Sequence, residues 1–272
     1  AEQTACAESQ SNMLWTNLHT RELTHGSQDL TRKLAGLDKS LRELPTYKAV
    51  AGTIEGFKAS IPLIASLKND AMQPRHWEKL MKTTGVVFNM NPKTFTLQRL
   101  FEMNLDQHQD TIDEITAEAM QEAKIERQIA DIETNWGATN FEVMEYHKNG
   151  QFRSYVLRVE EDMKTTLEDH MLQLQTMASS RFVGFFAARV QLWSRNLTTV
   201  SEVSEMWGVV QQKWQYLEGI FVGNEDIKSQ LPDEVRRFAG IDKAFKTLMG
   251  QVNTSPNVVS ACCSDGRQAL LE

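Results

Sequence analysis

Apolar residues recur along the chain at helical spacing. Val203, Trp207, Val210, Trp214, Leu217 and Phe221 follow one another at intervals of 4, 3, 4, 3 and 4. That is the period of one helix face, and strand alternation cannot produce it. Thr199 with Glu202 fits a capping box, so the pattern predicts a helix over 199–221. Phe182, Phe186, Val190, Trp193 and Leu197 form a second stripe, and Met163, Leu167, Met171, Leu174 and Met177 a third. Three successive amphipathic segments with short polar joints predict an antiparallel helical stack. Large apolar side chains at this spacing are core residues first, so the stripes speak for architecture and not for a reaction.

Upstream, Leu34, Leu37, Leu41 and Leu44 are spaced like a heptad until Pro45. Leu14, Leu18 and Leu30 precede them, and Gly52 and Gly56 loosen the stretch that follows. Ile61-Pro-Leu-Ile64 reads as a buried corner before a turn at Asn69-Asp70. Pro74 suits a helix first turn, with His76, Trp77, Leu80 and Met81 on that helix. Asn89 to Pro92 marks another break. A long helix is expected from 111 to 136, with Ile125, Ile129, Ile132 and Trp136 on one face. The period then changes to two. Phe141–His147 and Phe152–Val159 alternate around Asn149-Gly150, a pair that tolerates the positive φ of a tight hairpin turn. A lone hairpin is marginal in water, so it must lie on the helices, with Phe141 or Tyr155 as anchor. Val235, Phe238, Ile241, Phe245 and Leu248 predict a final amphipathic helix, with Ser255-Pro256 and Asp265-Gly266 as loops. The fold class is therefore mainly α: an elongated stack of antiparallel helices with one inserted β-hairpin at about 141–159.

Composition narrows the classes of function. Of 272 residues, 29 are Lys or Arg and 36 Asp or Glu, a net charge of −7 that suits neither nucleic acid nor an anionic membrane. No apolar run approaches the length of a membrane span. The three cysteines, Cys6, Cys262 and Cys263, suit a reducing compartment. A chain that opens at Ala1 and closes on Leu270-Leu271-Glu272 reads as a piece of something longer.

Chemistry is hard to find. None of the 14 glycines is followed by lysine, so the Gly-Lys-Ser/Thr of a phosphate-binding loop is missing. The histidines at 19, 25, 76, 108, 147 and 170 have no metal-ligand spacing. Glu160-Glu161-Asp162 suits a solvated helix N-terminus better than a catalytic pair, and His170 beside Asp169 reads as a helix-surface histidine. Cys262-Cys263 reads as partly buried rather than redox-active. No catalytic, cofactor-binding or metal residue is assigned, and the core stripe Val203, Trp207, Val210, Trp214, Leu217 and Phe221 is the chain's main feature.

Longer runs carry a family resemblance. Ile61-Pro-Leu-Ile64, Leu67, Arg75-His76-Trp77, Leu167-Glu168-Asp169 and Ser180-Arg181-Phe182 contribute. The most specific run is Trp207, Val210-Gln211, Trp214, Tyr216-Leu217-Glu218, Ile220-Phe221, Asp226-Ile227, Gln230-Leu231-Pro232, Glu234 and Phe238. Together these resemble the linker region of dynein heavy chains, and Asp226-Ile227 with Ile241-Asp242 and Phe245 looks axonemal rather than cytoplasmic. The resemblance implies that 1–60 is the end of the tail and 61–272 the N-terminal and middle part of the linker. It implies a helical lever that bends and swings across an AAA+ ring in the same polypeptide. ATP and Mg would be bound by that ring and not here. The implied partners are the ring, the tail with intermediate and light chains, and microtubules indirectly. The implied location is the cytoskeleton, in the axoneme of a cilium or flagellum. A non-motor helical scaffold is the alternative, and the hairpin and the irregular helix spacings disfavour a repeating rod.

Overall fold

A computed structural model describes residues 19–87, 105–222 and 229–271. Leu14, Leu18, Cys6, the break at 89–92 and Asp226-Ile227 lie outside them. Among the described residues the protein is mainly α, with nine α-helices and one antiparallel hairpin. Helices α1 (Thr20–Ala35), α2 (Pro45–Leu67) and α3 (Pro74–Thr84) are followed by α4 (Gln109–Ala138). Strands β1 (Glu142–Lys148) and β2 (Gln151–Arg158) come next. Then come α5 (Glu161–Ala178), α6 (Ala187–Phe221), α7 (Pro232–Thr254) and two short helices, α8 (Val258–Cys262) and α9 (Arg267–Leu271).

The chain divides into two compact units, 1–123 and 124–272, with α4 contributing to both. In the first, Leu23, Ile61, Ile64, Leu67, Trp77, Leu80, Ile112 and Ile115 form the core. Pro74 opens α3 as expected, and Gln73 and His76 close a capping box there. Two expectations are corrected. Ile61-Pro-Leu-Ile64 is no corner, because Pro62 lies inside the continuous α2. Its neighbours Ile61, Leu63 and Ile64 are buried, and that packing holds the helix through the lost hydrogen bond. The heptad-like leucines do not make one face either. Leu34 is buried, but α1 ends at Ala35, and Leu37, Leu41 and Leu44 are exposed on a 3₁₀ turn and its flanks.

In the second unit, Ile125, Ile129, Ile132 and Trp136 of α4 are buried, as the periodicity predicts. Leu167, Leu174 and Met177 of α5 and Phe238, Phe245 and Leu248 of α7 join the same core. Ile241 does not: it is 52% exposed, and the α7 stripe continues instead through Met249 and Val252. The largest correction concerns α6. From Val190 onward the stripes assigned to two helices lie on one helix of 35 residues, about 52 Å long, while Phe182 and Phe186 precede it. Thr199 and Glu202 are interior positions and cap nothing. No glycine or proline lies between Ala187 and Met206 to break the chain there, and Leu197, Val200 and Val203 are fully buried across the expected joint.

The hairpin forms where the sequence places it. Asn149 and Gly150 adopt φ of 52° and 76°, which fit a type I′ turn. The register runs from Glu142↔Arg158 to Tyr146↔Ser154 and then slips, so that His147 faces Phe152. Arg153 is the extra residue of a β-bulge, a device that re-aims a side chain.

Candidate functional site

The side chains with the most structural consequence meet where the hairpin lies on α6. The buried line of that helix is not purely apolar. Ser204, Trp207, Gln211, Trp214 and Glu218 follow at 3, 4, 3 and 4, and each is buried or half-buried. Every polar member but Ser204 holds the hairpin. Glu218 is 0% exposed and accepts from Arg153 Nε at 2.7 Å and Lys148 Nζ at 3.0 Å. Two cations on one buried carboxylate satisfy the requirement that a buried charge be paired. Gly219 makes room, since a Cβ there would lie 2.9 Å from Lys148 Nζ. Gln211 holds the far end of β2. Its amide accepts from the Leu157 N–H at 2.7 Å and donates to the Leu157 carbonyl at 2.9 Å, standing in for a neighbouring strand.

The two tryptophans fill the space between. Trp214 stacks on Phe245 of α7 at 4.4 Å and meets Tyr146 of β1 edge-on at 5.6 Å. Its indole N–H donates to Asp242, whose other oxygen accepts from Lys246. Trp207 packs on Phe141 at 6.0 Å, which makes Phe141 the buried anchor; Tyr155 is only half-buried. Of the six stripe residues, Val203, Trp207 and Trp214 are fully buried, while Val210, Leu217 and Phe221 are half-buried.

Two further clamps hold α4. Near the start of α6, Arg189 and the Trp193 indole both donate to Glu133, whose carboxyl is held below its usual range, first by the Arg189 hydrogen bond. At the end of α4, the Asn257 amide donates to the Trp136, Gly137 and Thr139 carbonyls while its oxygen caps α8 at Ser260 N. One side chain thus closes the C-terminus of one helix and the N-terminus of another.

His170 is not a plain surface residue. It is half-buried, and its Nδ1 accepts from the Trp136 indole at 3.0 Å. In the first unit His76 is buried and accepts the Gln73 N–H at Nδ1, which leaves Nε2 to donate to Glu122, also gripped by Arg75. Burial lowers the pKa of both imidazoles, so both are neutral acceptors.

Burial pushes the Cys262 thiol up to about 12, so it is no nucleophile at neutral pH. Cys263 is half-buried and also raised by burial. Among the described residues no group of three or more His, Cys, Asp or Glu could hold a metal ion. A cavity of about 330 Å³ lies at the hairpin's base, lined by Trp136, Phe141, Glu142, Arg158, Glu160 and Asp162 among others. Glu160 and its neighbours form the start of α5, as a solvated helix N-terminus predicts.

The fold is a mainly helical one in which a long helix carries a clamped hairpin. The chain matches the family described as "Dynein heavy chain, N-terminal region 2" over residues 2–272. It is 40% identical over its full length to the Dynein-1-alpha heavy chain of the flagellar inner arm I1 complex of Chlamydomonas reinhardtii. It is 40% identical over 94% of its length to human Dynein axonemal heavy chain 10, and 30% over 95% to the flagellar outer-arm alpha chain of Chlamydomonas reinhardtii. The chain belongs to the dynein heavy chain family, in the N-terminal region of its axonemal type. It spans about 6% of the length of each of these relatives. No described helix is long and apolar enough to cross a membrane.

Proposed function

We propose that this chain is a mechanical linker element of an axonemal dynein. It would act as a helical lever that bends and swings across the AAA+ ring of the same polypeptide as ATP is bound and hydrolysed. The observation that carries this reading is α6 itself: 35 residues tied near its start to Glu133 of α4, and in its second half to the hairpin through Gln211 and, near its end, Glu218. Close-packed interiors transmit strain, and clamps at separated points keep a long helix from sliding on its neighbours. A lever also needs weaker, switchable contacts with what it moves over. Shifting such an element from 1:99 to 99:1 takes about 5.5 kcal/mol of differential binding, which suits modest polar interfaces. Nucleotide and Mg would belong to the ring. Tail, intermediate and light chains and microtubules would be partners of the whole motor, in a cilium or flagellum.

The test is a distance measurement in an intact axonemal heavy chain. A donor dye on an exposed position of α6 and an acceptor on the ring should report different transfer efficiencies without nucleotide and with ADP and vanadate. Equal efficiency in both states would contradict the lever reading.

A further inference from the structure

A two-stranded hairpin has two outer edges, and Gln211 occupies that of β2 at Leu157. Leu157 gives both its N–H and its carbonyl to Gln211. Those groups therefore point away from β1, so Val143↔Leu157 is a pair without ladder hydrogen bonds. Alternation makes Glu145↔Tyr155 the next such pair. The N–H and carbonyl of Val143 and of Glu145 thus face outward from β1. Phe141 belongs to the same series, and its outward N–H is already used: it donates to the Pro256 carbonyl at 2.8 Å, beside an antiparallel bridge of Asn140 with Asn257. Residues 256 and 257 bridge the chain just ahead of β1, between the end of α7 and the start of α8. Beyond them, the outward groups of Val143 and Glu145 have no protein partner among the described residues.

Side chains along this edge set the charge of what it can accept. Glu142, Met144, Glu145 and His147 are exposed. Glu160 and Asp162 line the cavity that begins at Glu142. The nearby cations are already engaged: Lys148 by Glu218, and Arg158 by Glu142 at 3.6 Å. His147 lies 3.6 Å from Glu145 and carries no charge unless protonated. The edge is left acidic. A second copy paired along β1 would set carboxylates against carboxylates, which disfavours it.

We propose that the outer edge of β1, at Val143 and Glu145, receives an extended peptide segment rich in lysine or arginine. Main-chain hydrogen bonds to Val143 and Glu145 would give the affinity, and Glu145, Glu160 and Asp162 the charge preference. This inference stands independently of the lever reading.

The test uses amide hydrogen exchange on the 272-residue chain with a blocked probe peptide, Ac-Lys-Val-Lys-Thr-Lys-Val-NH2. At about 1 mM peptide, exchange at Val143 and Glu145 should slow by at least about tenfold. A peptide with glutamate in place of each lysine should leave it unchanged. Glu145→Pro removes the outward N–H together with one carboxylate of the edge and spares the ladder to β2, so Met144 should stay protected while binding falls at least about tenfold. No protection by the lysine peptide, equal protection by the glutamate peptide, or unaltered binding to Glu145→Pro would overturn the proposal. So would protection of the same amides by self-association without peptide.

Discussion

Glu218 shows how a polar residue can organise an apolar face. It lies four residues after Trp214 and seven after Gln211, on the buried line of α6. Glu218→Ala leaves Lys148 and Arg153 facing an apolar helix without a counter-charge. It should cost about 3 kcal/mol, the low end for a broken buried pair because both cations keep some contact with water. Chemical denaturation of the second unit, followed by Trp fluorescence, checks this. Trp214→Ala removes the ring that joins α6 to Phe245 and Tyr146 and should cost about 3–5 kcal/mol. A loss below about 1 kcal/mol would place the ring at the surface. The apolar stripe was legible in the sequence, and so were Trp207 and Trp214 as its core. Gln211 and Glu218 were visible only as part of a family resemblance, because a search for apolar periodicity passes over the polar members of the same line. Their partners, Leu157 and Arg153, are more than 50 residues away, and no local pattern links them.

The two neutral histidines give the fold a pH dependence. An ordinary imidazole titrates near 6.5, and burial lowers both His76 and His170 below that. Between the folded and unfolded values the unfolded chain binds more protons. Stability should therefore fall as pH drops through about 6.5, and level off once pH is below the folded values. His76→Gln with His170→Gln should flatten the denaturation midpoint between about pH 7 and pH 5. An unchanged slope would place the effect elsewhere.

At the scale of elements, punctuation was read where none exists and continuity where it breaks. Thr199 and Glu202 have the residue types of a capping box, yet a cap forms only where the helix begins, and burial on both sides carries α6 straight through. Thr198→Pro distinguishes one helix from two. Beside a joint it would be tolerated; inside a continuous helix it should cost about 3 kcal/mol or more. Thermal unfolding by circular dichroism measures the difference. Pro62 makes the same point in reverse, since a proline flanked by buried Ile61, Leu63 and Ile64 does not end α2. The leucines after α1 keep a spacing that no continuous helix uses. The hairpin was legible because its signal is local: alternation on both sides of Asn149-Gly150, whose positive φ values the turn requires. The bulge at Arg153 was not, because no local pattern in either strand marks where the register slips.

At the scale of the molecule, two units each have their own core, and α4 contributes to both. The family was legible from long ordered runs, above all Trp207 to Phe221, and the comparisons place the chain in the N-terminal region of dynein heavy chains. The central claim is that this region carries force generated by nucleotide chemistry elsewhere in the polypeptide. Microtubule gliding by an intact axonemal heavy chain bearing Glu218→Gln, measured beside its ATP turnover, tests that most directly. The substitution keeps the side-chain shape and removes the charge that holds Lys148 and Arg153, loosening one clamp on α6. Gliding velocity should fall severalfold while ATP turnover stays within about twofold of the parent. Unchanged gliding, or gliding and turnover falling together, would contradict the claim.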